Sequence, residues 1–297
     1  MSVSFGLAIP DEKFGGFPRK MVTMVIGDNS AGKTALLLQA CETLNFAGER
    51  SLYITLEEPT EGLVSRRVFP LAGVPYLDLQ TGSLTDEQKA ALDAEGDKYV
   101  ASHKFIRLDQ SARTIRQIAR SVKQWKPKLV VVDDLIHVFG AEFSGENEAS
   151  GLMRIVTKLK DIAIDHDCAM VVLHHLTSEE AQKTWPGAKE KAHYAPPTQN
   201  LPPALDAMTW SKNLRFTVDL WLALVPDWKT DIKRDVVKLI LWVMKNKRGE
   251  RLKMIDLHYD KLDQWFYDDA SLKHMRHSLT VGANPTVKPR ELSPIPE

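Results

Sequence analysis

The sequence predicts an α/β domain built on a doubly wound, mostly parallel sheet. Two observations predict it. From about Met21 to Leu173 short β-rich runs alternate with helical stretches, and most runs are apolar throughout, as strands covered by helices on both faces must be. Strands separated by helices also imply right-handed crossovers, which bring each strand back parallel to the last.

The strands are placed at 21–26, 51–56, 105–108, 129–132 and 169–173. Helices fall between them at 33–46, 60–69, 85–100, 114–125 and 151–165. In the fourth of these, Ile115, Ile118, Ala119, Val122 and Trp125 recur three and four apart, an apolar stripe that faces a core. The pattern breaks over 177–215, which holds five prolines and little periodicity; loops longer than about 15 residues are usually functional or disordered. Beyond it 218–224, 236–244 and 252–258 read as strands, with Lys247-Arg248-Gly249-Glu250 turning a hairpin between the last two. Trp265 closes the ordered part. The last thirteen residues hold four prolines and read as a flexible tail. The expected layout is an arm over 1–20, one domain over 21–268 and a tail over 269–297.

The 297 residues carry 39 basic and 39 acidic side chains, a net charge of zero. Neutrality removes the simplest argument for nucleic acid, a chain-wide basic excess, so any grip on DNA or RNA must come from a local patch. A 43% hydrophobic and 26% charged composition excludes wholesale disorder and fibrous repeats. No apolar run approaches the roughly 18 to 20 residues of a membrane span, and residues 1–10 lack the basic start of a signal peptide. A cytoplasmic protein with no membrane partner is expected. Cys41 and Cys168 sit in apolar segments and read as reduced core thiols; no Cys/His spacing resembles a zinc site.

The sharpest signal is Gly27-Asp28-Asn29-Ser30-Ala31-Gly32-Lys33-Thr34, which fits G-x-x-x-x-G-K-[ST]. It lies between the 21–26 strand and a helix opening with Ala35-Leu36-Leu37-Leu38, the context the motif demands. By chance such a match is expected in only ~1% of chains this long. Its glycines let the backbone turn tightly against phosphates, and its amides and the helix N-terminus stabilise the anion. Lys33 would reach the β and γ phosphates of ATP or GTP, and the Thr34 hydroxyl would ligate Mg²⁺.

Three strand tips supply partners. Asp133, with Asp134 beside it, ends the 129–132 strand, where a carboxylate holds Mg²⁺ through water; the bland alternative is a charged turn. Glu57-Glu58 ends the 51–56 strand, where a carboxylate can act as general base on water. Spacing leaves the choice within the pair open, although a cap on the next helix suits Glu58 and Thr60 better. His174-His175 ends the 169–173 strand and could bond the γ-phosphate, or form a solvated turn.

Together these residues resemble the RecA-like ATPase core of hexameric replicative DNA helicases, over roughly residues 15–266. The lead-in Gly15-Gly16-Phe17-Pro18-Arg19-Lys20-Met21-Val22-Thr23 is similar to that of DnaB-type proteins. Leu56-Glu57-Glu58 resembles the catalytic-glutamate motif of phage primase–helicases, which implies Glu57 as the base. Residues 153–163 followed by 169–176 are similar to their helix and sensor strand, which implies His175 as the sensor. Glu148-Ala149-Ser150-Gly151 with the two histidines also resembles plasmid RepA-type helicases.

The resemblance implies a basic finger from a neighbouring subunit, in a K-x-R pattern. Here Lys245-Asn246-Lys247-Arg248-Gly249 occupies that place: Lys245 fits the first position, Lys247 stands where arginine is expected, and Arg248 follows. Lysine is a point charge and not a planar fork. The family's Asp-Leu-Arg-Gly-Ser-Gly type DNA loop is replaced by residues 205–215. There Lys212, Arg215, Ser211 and Asn213 could meet phosphates, and Trp210 could stack on a base or cover the sheet edge; His193 and Tyr194 are weaker choices. About twenty residues precede the core, so no N-terminal primase or collar domain is expected.

The expected function is an ATP-driven DNA helicase or translocase of phage or plasmid type, in the host cytoplasm. It would use ATP and Mg²⁺, act on single-stranded DNA as a homo-oligomer (a hexamer), and work with a separate primase or loader. The alternative is a RecA/RadA- or KaiC-like ATPase in recombination or regulation, or a nucleotide-dependent loader without unwinding.

Overall fold

The computed structural model describes residues 2–27, 31–75, 78, 81–143, 148–175, 214, 217–227, 230, 235–249, 251 and 253–269. At the N-terminus β1 (Ser2–Val3) and β2 (Phe17–Pro18) pair antiparallel around α1 (Ala8–Phe14). Periodicity reads none of these, because the strands are two residues long. They are held instead by side chains: Phe5 packs on Phe17 with centroids 4.6 Å apart, and Asp11 Oδ1 accepts from Phe5 N–H at 2.6 Å. Ile9 N–H donates to Asp268 Oδ2 at 2.6 Å, tying this arm to the far end of the described chain.

The main sheet contains β3 (Met21–Gly27), β4 (Ser51–Thr55), β5 (Ile106–Asp109), β6 (Leu129–Asp133), β7 (Ala169–His175), β8 (Leu220–Pro226), β9 (Val236–Asn246), β10 (Lys253–Asp260) and β11 (Trp265–Tyr267). Their order is β11-β10-β9-β8-β3-β7-β6-β4-β5. Pairings from β5 across to β8 are parallel, and β8 to β11 add an antiparallel extension. The expected hairpin joins β9 to β10, with Val243 opposite Lys253.

The helices are α2 (Lys33–Phe46), α3 (Thr60–Ala72), α4 (Asp86–Ser102), α5 (Ile115–Trp125), α6 (Leu135–Glu142) and α7 (Glu148–Asp165). Thr85 and Thr114 each close a capping box, with Gln88 and Gln117, so α4 and α5 start beside the expected residues. The sequence reading has no helix at α6, which is only two turns long. Asp134 caps it, its Oδ1 accepting from Ile136 N–H at 3.1 Å.

Two cores flank the sheet. One holds Met24 and Ile26 of β3 against Ile118, Val122, Ile155 and Leu159 of α5 and α7. The other holds Val25 against α2, whose Leu36, Leu37 and Leu38 are buried. Burying each leucine contributes about 1.5–3 kcal/mol. Because β3 is buried on both sides, its end is rigidly placed, and that end carries the phosphate motif.

Asp219 joins three elements just before β8. Its Oδ1 accepts from Lys160 Nζ of α7 at 2.7 Å and from Lys247 Nζ at 2.8 Å, and its Oδ2 from Val22 N–H at 3.1 Å. Burial works to raise this carboxyl, but the lysine and backbone bonds outweigh it and hold the group below the usual carboxylate range. A depressed folded-state pKa stabilises the fold above the unfolded value of about 3.9, and the contribution fades as pH falls through the folded pKa. Asp219→Asn is therefore expected to lower the urea midpoint at neutral pH, with the gap from wild type closing toward pH 3. A gap that stays constant with pH would assign the effect to packing and not to charge.

Candidate active site

The C-terminal ends of β3, β4, β6 and β7 converge at one edge of the sheet. Gly27 aligns with His175 on one side and Leu224 on the other. A Cβ on Gly27 would lie 2.5 Å from the Leu224 carbonyl oxygen, so the strand can pass there only as glycine. Gly32 precedes α2 at φ +82°, and its Cβ would meet the Phe266 ring at 2.8 Å. That ring stacks on Tyr259 with centroids 4.5 Å apart. Packing alone thus demands both motif glycines. Ala31 is buried beside them, while Asp28, Asn29 and Ser30 lie outside the described residues.

Lys33 opens α2 only 3% exposed, and its Nζ donates to the Gly27 carbonyl at 2.9 Å. Thr34 Oγ1 donates to Asp133 Oδ2 at 3.0 Å, and Tyr53 OH donates to the same oxygen at 2.7 Å. Burial first, and then the Asp133 charge, hold the Tyr53 phenol protonated well above its ordinary range. Tyr53 is a site residue the sequence reading missed, since it looks like any other aromatic in a strand. Of the two carboxylates, Asp133 reaches Thr34, whereas Asp134 caps α6 and meets His137 Nδ1 at 2.8 Å.

At the tip of β4 the two glutamates separate. Glu57 is exposed. Glu58 turns back onto Arg66 of α3, with its Oε2 2.9 Å from the guanidinium. Burial disfavours the Arg66 charge, but Glu58 outweighs it and raises the guanidinium pKa. Arg66 also approaches Gln264 Oε1 at 3.4 Å, and Gln264 Oε1 accepts from Tyr259 OH at 2.8 Å. Behind α2, buried Arg67 bonds Glu42 Oε1 at 3.0 Å, and that oxygen also accepts from Tyr99 OH. Neither arginine announces itself in the sequence: Glu58 lies in the loop before α3, and Glu42 lies on α2.

The remaining expected residues divide. His175 ends β7 level with Gly27, but its side chain lies outside the described residues, as do Trp210, Lys212 and Arg215. His174 aligns with Ile26. Lys245 Nζ donates to the Val218 carbonyl at 2.6 Å, and burial followed by nearby Lys247 lowers its pKa. Lys247 is committed to Asp219. Arg248 is exposed, and its guanidinium has no ion pair among the described residues. Because Asn246 aligns with Leu220 and Leu220 with Thr23, this hairpin tip lies at the sheet edge opposite Gly27. It cannot serve its own chain's phosphate loop.

Cys41 and Cys168 are buried free thiols whose pKa burial pushes up to about 12, as expected of core residues. Among the described residues no cluster of three or more His, Cys, Asp or Glu is placed to hold a metal, and no helix is long and apolar enough to cross a membrane.

Residues 2–187 match the family model of the DnaB-like helicase C terminal domain. A solved ATPase domain is similar with a TM-score of 0.70 at 17% identity, covering 90% of this chain and 91% of its own. A DnaB-like replicative helicase, from a structure that treats its interactions with primase, is similar with the same TM-score and identity; the match covers 90% of this chain and 62% of that one. A KaiC-like protein from the archaeon Pyrococcus horikoshii OT3 is similar with a TM-score of 0.57 at 16% identity, covering 90% and 97% of the two chains. At such identities these structures speak for the fold alone, a RecA-like one, as the motifs imply. Comparison with curated proteins found no match.

Proposed function

Since this chain belongs to the family of DnaB-like helicase C-terminal domains, ATP-hydrolysing helicase cores, we propose that it is a DNA helicase or translocase moving on single-stranded DNA. Its subunits form a ring, a hexamer, and a separate primase or loader acts with it. The observation that carries the reading is Thr34 Oγ1 against Asp133 Oδ2 at 3.0 Å, beside the buried Lys33 ammonium. Two hard oxygens suit Mg²⁺, which takes one or two protein ligands and completes its shell with phosphates and water. When bound, the ion would neutralise charge on the β and γ phosphate oxygens.

Lys33 now rests on the neutral Gly27 carbonyl; a triphosphate offers it a charged and stronger acceptor. Glu57, exposed at the β4 tip, takes the proton of the attacking water, while Glu58 is engaged by Arg66. His175, level with Gly27, couples the state of the γ-phosphate to residues 177–215, where Trp210, Lys212 and Arg215 grip the strand. The neighbouring subunit's hairpin supplies positive charge as the phosphoryl group transfers. Arg248 does so directly, whereas Lys247 holds the hairpin to Asp219 and Lys245 holds it to Val218.

ATP turnover with and without single-stranded DNA, together with strand displacement from a forked duplex, tests the reading. DNA-stimulated turnover with displacement supports it. Stimulation without displacement would favour a RecA/RadA- or KaiC-like ATPase, and indifference to DNA would leave a loader. Within the assembly, Arg248→Ala is expected to lower turnover about tenfold, roughly 1.4 kcal/mol of barrier, while an ATP analogue still binds. Lys247→Ala should lower thermal stability more than turnover. The opposite ranking would make Lys247 the finger.

A further inference from the structure

A neutral chain that binds nucleic acid needs a local cationic patch, and the outer face of α5 provides one. Residues 113–126 include Arg113, Arg116, Arg120, Lys123 and Lys126, with no acidic residue among them. All five are exposed. At 100° per residue, Arg116, Arg120 and Lys123 fall on one face of the helix, opposite buried Ile118 and Val122, while Arg113 and Lys126 flank its two ends. Neighbours three and four apart on this face lie about 5–6 Å from each other.

Among the described residues these charges are not balanced by ion pairs. Elsewhere the surface helices pair their lysines: Lys89 with Asp86 at 2.9 Å and Lys98 with Glu95 at 2.6 Å on α4, and Lys158 with Asp161 at 3.6 Å on α7. None of the five cations in and beside α5 has an ion pair among the described residues. Two carboxylates that touch this helix are engaged otherwise. Glu142 Oε1 accepts from Ile115 N–H at 2.7 Å, and Asp109 Oδ2 accepts from Ser121 Oγ at 2.7 Å.

The row has a direction and an end. α5 follows the C-terminal end of β5, at the edge that carries Glu57, and leads into the start of β6 at the opposite edge. There the cations meet rings. Arg50 lies over the Trp125 indole at 5.3 Å, and Trp125 Nε1 donates to the Ser51 carbonyl at 2.8 Å. Ser51 N–H in turn donates to the Phe105 carbonyl. Phe105 is 38% exposed, and Phe46 at the end of α2 is 70% exposed. Rows of cations ending at exposed aromatic rings suit a strand whose bases are unpaired and free to stack; a duplex keeps its bases stacked inside and uses only the cations.

We propose that the outer face of α5, from Arg113 to Lys126 and on to Phe105, is a second contact for single-stranded DNA, separate in sequence from residues 177–215. It holds the phosphate backbone without reading sequence. This goes beyond the proposed ATP-driven activity and does not require it.

The test is fluorescence anisotropy of a labelled thymidine 20-mer against NaCl concentration, for wild type and an R116Q/R120Q/K123Q variant of the full chain. Removing three phosphate contacts should reduce the log–log salt slope by about 2, at about 0.7 per contact on a single strand. Turnover of ATP without DNA should be unchanged in that variant, and R116K/R120K should keep the wild-type slope. Equal slopes for wild type and the triple variant would overturn the proposal, as would a wild-type chain with no affinity for the 20-mer. So would a matched duplex that loses as much affinity as the single strand. If wild type hydrolyses no ATP and the slope still falls, the ATPase reading fails and this contact stands.

Discussion

Lys33→Ala is expected to abolish nucleotide binding and to lower ATP turnover by at least ~10², the range seen when one preorganised charge or donor is removed from a transition state. The reason is positional. Lys33 is held 3% exposed at the first turn of α2, where water can do little to replace its charge. Circular dichroism and the thermal midpoint of the variant separate a loss of the site from a loss of the fold, since the Lys33 ammonium is buried and donates to the Gly27 carbonyl. Calorimetric titration with a non-hydrolysable ATP analogue and steady-state turnover read the two effects separately. Near-normal hydrolysis by a folded variant would dismiss the site.

Glu57→Gln is the second large effect. It should leave analogue binding intact and reduce turnover by at least ~10², the contribution of a positioned general base. Glu58→Gln is the control, one residue away with the same chemistry. Its carboxylate is spent on Arg66 at the mouth of α3, a partly exposed pair worth at most about 1 kcal/mol. Turnover should fall less than tenfold there. If Glu58→Gln is the slower enzyme, the base moves to Glu58 and the ion pair with Arg66 becomes part of its activation.

The alternation of strands and helices was legible because a sheet buried on both faces leaves continuous apolar runs, and β3, β4, β6 and β7 begin where those runs begin. The phosphate motif was legible because its glycines and Lys33 are adjacent in the chain. Boundaries drifted by a few residues where the last pair of a strand is polar, as at His174 and His175 of β7, which the parallel ladder with β3 carries on to Gly27. The N-terminal β1-α1-β2 unit escaped notice, since Asp11, Phe5 and Asp268 hold it by contacts that leave no periodic trace. Tyr53 and Asp219 escaped for a related reason, since their partners lie on other elements, and Arg66 because its pair with Glu58 spans the irregular entry to α3.

Local order along the chain thus determined the α/β class, the phosphate loop and the strand tips that surround it, because those features depend on neighbours in sequence. Tertiary structure alone decided where each member of the ambiguous pairs lies and what it touches. Folding set Asp133 against Thr34 and left Asp134 to cap a helix, turned Glu58 onto Arg66 and left Glu57 exposed, and tied Lys247 to Asp219 with Arg248 outside. It also left the cations of and beside α5 exposed, with no ion pair among the described residues. Such choices turn on distances between groups remote in sequence, and electrostatic and hydrogen-bond energies fall away within a few ångströms.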